Sequence, residues 1–232
     1  MKLGRLIARL TSVGRAEAHG IIAARRVRVN GSSITNNQHE TDRFMRVELD
    51  GKIIQQCERA LYIMLHKPAG ILSATTDPQH RTVIDLMEDP DKHTLHIAGR
   101  LDRNSSGLIL LTNDGRWSKH ITDATAKVPK VYLVETAEPI DASAIEAFAR
   151  GFHFHTEDIV TRPAQLELLG ERRARLTLRE GRYHQVKRMF HRVNNRVTLL
   201  HRESIGPVKL PDDLAPGQWR ELTLSEVRGF TA

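Results

Sequence analysis

Two unlike halves predict an α+β protein, in which a small N-terminal module of two helices and a little sheet precedes a domain with a mixed, largely antiparallel sheet. Apolar residues keep helical spacing over the first two dozen positions, then gather from Ala60 onward into the strand-length runs LYIML, GLILLT, VYLVET, AQLELL and RARLTL. Most connections between these runs lack the regular helical segments that parallel strands require, so neighbouring strands are expected to run antiparallel.

The 232 residues are 40% hydrophobic and 27% charged, the composition of a soluble globular chain. That length accommodates a small module and a medium domain, each with its own core. No apolar run is long enough to cross a bilayer, and arginines interrupt MKLGRLIARL too often for a signal peptide; no membrane partner and a cytoplasmic location are expected. The single cysteine, Cys57, excludes an intrachain disulfide and reads as a bystander. Among the twelve histidines, His153 and His155 alternate as on a strand, His93 and His96 flank Thr-Leu, and no CxxC or HExxH accompanies them. Neither a metal site nor a cofactor is expected.

Leu3, Leu6, Ile7 and Leu10 form the stripe of a short amphipathic helix, and Ala18, Ile21 and Ile22 form a second. In RRVRVNG, Val27 and Val29 alternate with Arg26 and Arg28 and end in Asn-Gly, a strand running into a tight turn. Phe44 to Leu49 reads as another strand, closed by Asp50-Gly51. The net charge of +7 concentrates here: residues 1–55 hold ten Lys/Arg against five Asp/Glu, while the other 177 hold 25 against 23. Such a basic, patterned module implies a polyanionic partner. The expected divisions are 1–55 for this module, 56–59 for a polar linker and 60–232 for the larger domain.

In the larger domain the clearest helix is His184 to Val193, with Val186, Met189, Phe190 and Val193 on one side and His184, Lys187, Arg188 and His191 on the other. From Arg172 to Arg192 there are eight Lys/Arg and one acid, Glu180, a second phosphate-facing surface. GRLDRNSSGLILLTNDG, residues 99–115, sets an Arg-Leu-Asp tripeptide before a buried run that ends in Asn-Asp-Gly. By composition alone, Arg100 and Asp102 are a structural pair in a turn.

This stretch resembles the signature G-R-L-D-x-x-[TS]-x-G-L-[LI]-L-L-T-[ND]-D-G of the RsuA family of ribosomal RNA pseudouridine synthases, with Ser105 where Thr is usual. LHKPAG at 65–70, PKVYLV at 129–134, LREGRYHQVKRMF at 178–190 and HRESIGPVKLPDDLAPGQWREL at 201–222 resemble that family's other motifs, in the expected order. Arg5-Leu6, Ser12, Arg15-Ala16-Glu17-Ala18 and Arg26-Val27-Arg28-Val29-Asn30-Gly31 are similar to the S4 RNA-binding domain.

The resemblance implies conversion of a uridine to pseudouridine: the N1–C1′ bond is cleaved, the uracil turns, and C5 joins C1′. Asp102 matches the nucleophile. Tyr132, which in VYLVE alone would read as core, matches the tyrosine set against the target base. Lys187 matches the cation paired with the aspartate, and a neighbouring cation favours an ionised carboxylate. Ile205 is the implied apolar wall. Arg100, Arg182, Gln185 and Arg188, with Arg5, Arg9, Arg15, Arg26 and Arg28 of the first module, are the implied RNA contacts. The Lys form of GRYHQVKRMF and the lack of a basic C-terminal tail are similar to the family's small-subunit enzymes, implying 16S rRNA, met in an assembling particle, as substrate of a monomer. The alternatives are a large-subunit target, a non-catalytic S4-type assembly factor, or a retaining glycosidase using Asp102 and Asp114, which would need carboxylates about 5–5.5 Å apart.

Overall fold

The computed structural model describes residues 1–123 and 125–230, so the end of the expected domain 60–232 lies outside the described residues. The chain divides into two units, Met1–Ala60 and Leu61–Ala232.

In the first unit, helices α1 (Leu3–Thr11) and α2 (Arg15–Ala23) precede β1 (Val27–Val29), β2 (Ser32–Ser33), β3 (Val47–Leu49) and β4 (Lys52–Gln55). Leu3, Leu6, Ile7, Ile22, Val27 and Val47 close its core, each contributing about 1.5–3 kcal/mol by leaving water. Leu10, in the last turn of α1, remains 40% exposed. The sheet order is β2-β1-β3-β4. The third strand starts at Val47 rather than Phe44, because side chains capture the amides before it: Asp42 takes that of Phe44 and Asn30 that of Arg46. The polar stretch 56–59 is tied to this unit, with Glu58 N donating to the Arg43 carbonyl and the Cys57 thiol to that of Phe44.

The second unit contains β5 (Tyr62–Lys67), β6 (His96–Ile97), β7 (Ser106–Thr112), α3 (Gly115–Thr122), β8 (Lys130–Thr136), α4 (Ser143–Arg150), β9 (His153–Phe154) and β10 (Ile159–Val160). It continues with β11 (Gln165–Gly170), β12 (Arg173–Leu178), α5 (Gln185–Arg192), β13 (Val197–Ile205), β14 (Val208–Lys209), β15 (Trp219–Glu221) and α6 (Leu224–Arg228). The main sheet runs β11-β12-β8-β13-β7-β5-β15, with β6 on β7 and β14 on β13. Among the described residues every pairing in it is antiparallel except β13 with β7, so the sheet is mixed and largely antiparallel.

That parallel joint aligns one row of residues across five strands. Lys67 lies opposite Gly107, Gly107 opposite Arg202, Arg202 opposite Tyr132, and Tyr132 opposite Leu176. Paired residues share a sheet face, with neighbouring strands about 4.8 Å apart. Gly107 has φ +106°, and a Cβ there would collide with the Arg202 carbonyl oxygen. Only glycine lets these two backbones approach so closely. On one sheet face, Tyr132, Leu176, Phe148, Val186, Met189 and Phe190 form a core that seats α5.

Candidate active site

Asp102 lies between β6 and β7 in a segment whose carbonyls are claimed one after another. Arg202 donates to Gly99 (2.8 Å), Arg100 (3.4 Å) and Leu108 (2.8 Å). The Ser73 hydroxyl donates to Leu101 at 2.7 Å, and Ser105 N closes a turn on the Asp102 carbonyl at 3.1 Å. Lys67 Nζ donates to the carbonyls of Pro68, Arg103 and Ser105 at 3.0, 3.0 and 2.7 Å. Lys67 and Arg202 are 0% and 1% exposed, so their charges are met by carbonyl oxygens rather than by water. Burial pushes the Lys67 ammonium down to about 8, the Asp102 charge pulls it up, and Arg202 pushes it down further.

The same row of the sheet thus positions the loop and, through its apolar face, α5. Val186, Met189 and Phe190 bury that helix's inner side, which turns Lys187 outward to the loop. Lys187 Nζ donates to Asp102 Oδ2 at 2.8 Å, and His184 Nε2 stands 3.4 Å from Oδ1. His184 is not inside the helix: it takes the left-handed conformation, φ +48° and ψ 31°, immediately before it. The Asp102 side chain remains 25% exposed. A half-open carboxylate with a cation on one oxygen, fixed by its own backbone, can act on an electrophilic carbon brought from solvent.

Residues 61–192 match the family model described as RNA pseudouridylate synthase. The chain belongs to that family. It is 51% identical to the ribosomal small subunit pseudouridine synthase A of Pseudomonas aeruginosa, over 98% of this chain and 99% of the relative. With the enzyme of that description from Escherichia coli it shares 43% identity over 98% of each. A solved crystal structure of a pseudouridylate synthase superposes with a TM-score of 0.72 at 35% identity, covering 99% of both chains.

In this pseudouridylate synthase, Tyr132 sits in the Lys67–Arg202 row, buried in the same apolar cluster as Leu101, with the Arg202 guanidinium 6.0 Å from its ring centre. Ile205 departs from expectation: it is wholly buried in a second cluster with Met64, Leu108 and Val208 and offers no accessible wall. Gln185 departs as well. It is buried, accepting from Arg182 N at 3.0 Å and donating to Glu180 at 2.6 Å, so it braces the turn before α5 instead of meeting substrate.

Arg188 is committed to both oxygens of Glu157, at 2.7 and 2.6 Å, and lies over the Phe154 ring at 3.7 Å. Both side chains of that ion pair remain partly exposed. Arg182 is exposed but bonded to Glu180 at 3.2 Å. Arg100 is exposed beside Asp102. In the first unit Arg5, Arg9, Arg15 and Arg28 are exposed, whereas Arg26 is held by Asp50 through hydrogen bonds of 2.9 and 2.6 Å.

The glycosidase alternative fails on position. Asp114 caps α3, accepting from Arg116 N and Trp117 N and from the Tyr62 hydroxyl, at the far end of β7 from Asp102. A strand of that length separates the two carboxylates by roughly 20 Å. Among the described residues, no three His, Cys, Asp or Glu side chains are grouped to hold a metal ion, and no helix is long and apolar enough to cross a membrane. Sequence reasoning gives no role to Lys67, Arg202 or Ser73; Lys67 and Arg202 stand within family-like motifs, but only strand register brings them under one loop.

Proposed function

We propose that this protein isomerises a specific uridine of 16S ribosomal RNA to pseudouridine, with Asp102 as nucleophile, Lys187 as its paired cation and Tyr132 beside the detached base. The Lys187–Asp102 contact of 2.8 Å carries the reading, since it unites two motifs 85 residues apart at an accessible carboxylate. The names of the Pseudomonas aeruginosa and Escherichia coli relatives direct it to the small subunit. The reaction rearranges the substrate alone: the N1–C1′ bond breaks, C5–C1′ forms, the proton leaves C5 and N1 gains one. No cofactor enters that balance. Asp102 stabilises C1′ as the base departs, and the Tyr132 ring limits where the uracil turns.

The first unit is the S4-like RNA-binding domain on this reading, with Arg5, Arg9, Arg15 and Arg28 as its phosphate contacts and Arg100 and Arg182 as those near the loop. A flipped uridine is easiest to reach before the subunit closes around it. The protein accordingly acts as a cytoplasmic monomer on an assembling small subunit.

Purified protein incubated with 16S rRNA, free or in partly assembled particles, should introduce pseudouridine at one position without added metal. Modification confined to large-subunit rRNA would redirect the proposal; absence of modification in every substrate would refute it.

A further inference from the structure

We propose that Tyr183 and His184 form a stacking subsite for an unpaired nucleobase flanking the target uridine. The inference rests on the RNA-modifying reading of Asp102 and goes beyond it by assigning a second base-binding position.

Tyr183 is 76% exposed, the most exposed large apolar side chain among the described residues. Val186 and Phe190 of the adjacent core are already buried, so the Tyr183 ring has no part in covering them. Instead it lies flat on His184, with ring centres 3.9 Å apart and planes inclined by 18°. His184 in turn points Nε2 at Asp102 Oδ1, 3.4 Å away. The imidazole thus meets the carboxylate with its edge and the phenol ring with its face, and the phenol ring remains largely open to solvent.

The pair is held in place. His184 occupies the left-handed backbone region, a conformation that persists in a non-glycine residue only where its surroundings enforce it. Arg188 Nη1 donates to the Tyr183 carbonyl at 3.3 Å, and Gln185 holds the amide of Arg182. With one face already stacked on His184, the Tyr183 ring loses less freedom when a base settles on the other.

Chemistry selects the occupant. Two exposed cations flank the pair and the loop, Arg182 before Tyr183, also bonded to Glu180, and Arg103 beside Asp102. A flat aromatic face within a basic surround suits a base whose phosphates are neutralised alongside, and such stacking tolerates any base because each has a π face. With the target uridine extruded toward Asp102, the strand left behind exposes a neighbouring base. Tyr183 is placed to cover it.

The test uses full-length protein and a short single-stranded RNA containing 2-aminopurine next to a uridine, read by fluorescence and by anisotropy, so that binding is scored without turnover. Tyr183→Phe should bind and quench as the parent does. Tyr183→Ala should weaken binding by roughly 5- to 150-fold, the range for removal of one base stack, and abolish the quenching. On 16S rRNA the same variant should raise KM by a similar factor with kcat little changed. Unchanged binding and quenching in Tyr183→Ala would overturn the subsite, and so would a Phe variant as impaired as Ala. A parent protein that quenches 2-aminopurine but modifies no rRNA would refute the functional reading and leave the subsite standing.

Discussion

Lys187 reaches Asp102 across 85 residues of chain, its Nζ 2.8 Å from Oδ2. The aspartate is set by a loop whose carbonyls are bonded to Lys67, Ser73 and Arg202; the lysine is set by a helix whose other side is buried. The backbone beneath each partner is therefore fixed independently of the pair, and what the contact itself must order is the flexible Lys187 side chain.

Asp102→Asn keeps the shape and most hydrogen-bonding capacity of the side chain while removing its negative charge. RNA affinity should stay within about threefold of the parent, whereas pseudouridine formation should fall to background. Filter binding and pseudouridine mapping on the same preparation separate the two. Normal turnover in this variant would remove the aspartate from the mechanism.

Lys187→Met leaves the carboxylate without its charged donor. A hydrogen bond to a charged group contributes about 1.5–3 kcal/mol, so the rate should drop roughly 10- to 150-fold with RNA binding largely retained. Lys187→Arg preserves the cation and should recover most of the rate. Equal defects in both variants would show that the lysine acts by its shape and not by its charge.

Gly107→Ala tests the row beneath the site. The new methyl group would collide with the Arg202 carbonyl oxygen, at a φ of +106° that side chains rarely adopt. Overpacking and backbone strain together should cost about 3 kcal/mol or more. Calorimetry should show a Tm roughly 6–12 °C lower. A Tm within about 1–2 °C of the parent's, the shift expected from a surface substitution, would mean that β7 and β13 separate easily.

Removing residues 1–60 should leave the second unit folded, because each unit has its own core. Without the surplus of five positive charges, rRNA binding should weaken. Its salt dependence should flatten, by about 0.7 in the log–log slope for each single-strand phosphate that is no longer neutralised. Unaltered affinity and slope in the truncated protein would exclude the N-terminal unit as a docking element.

The long strands were legible because burial on both faces makes a run such as LILLT apolar throughout. The α5 stripe was legible because helical spacing reports its packed face. What escaped depends on distant partners. Arg188 is paired with Glu157, 31 residues earlier, a partner that no local pattern announces. Gln185 reads as a substrate contact until its bond to buried Glu180 appears. Ile205 lies in a motif, yet its burial is set by Met64 and Leu108, on strands that come from much earlier in the chain. Lys67 and Arg202 carry no local pattern of function, since each acts by reaching carbonyls on a loop that other strands deliver.

The buried Lys67 should make activity and stability diverge above pH 8. Its ammonium, ordinarily near 10.5, is pushed down to about 8 by burial, and Lys130 is pushed down to about 8 for the same reason. Between about pH 8 and 10.5 the unfolded chain therefore binds more protons at these positions than the folded one, so their contribution to stability rises with pH through that window. The loop responds in the opposite sense. All three ammonium N–H groups are engaged, on the carbonyls of Pro68, Arg103 and Ser105, and a neutral amine can supply only two. Loss of that proton releases one carbonyl of the segment carrying Asp102 and loosens the nucleophile. Turnover should decline above pH 8, approaching tenfold per unit, while Tm holds or rises between about pH 8 and 9.5. Lys67→Arg stays charged across this range and, although slowed by its larger side chain, should lack the decline. A parent rate that is flat from about pH 8 to 9.5 would show that the charge on Lys67 is dispensable, and a parallel fall in Tm would assign the decline to unfolding.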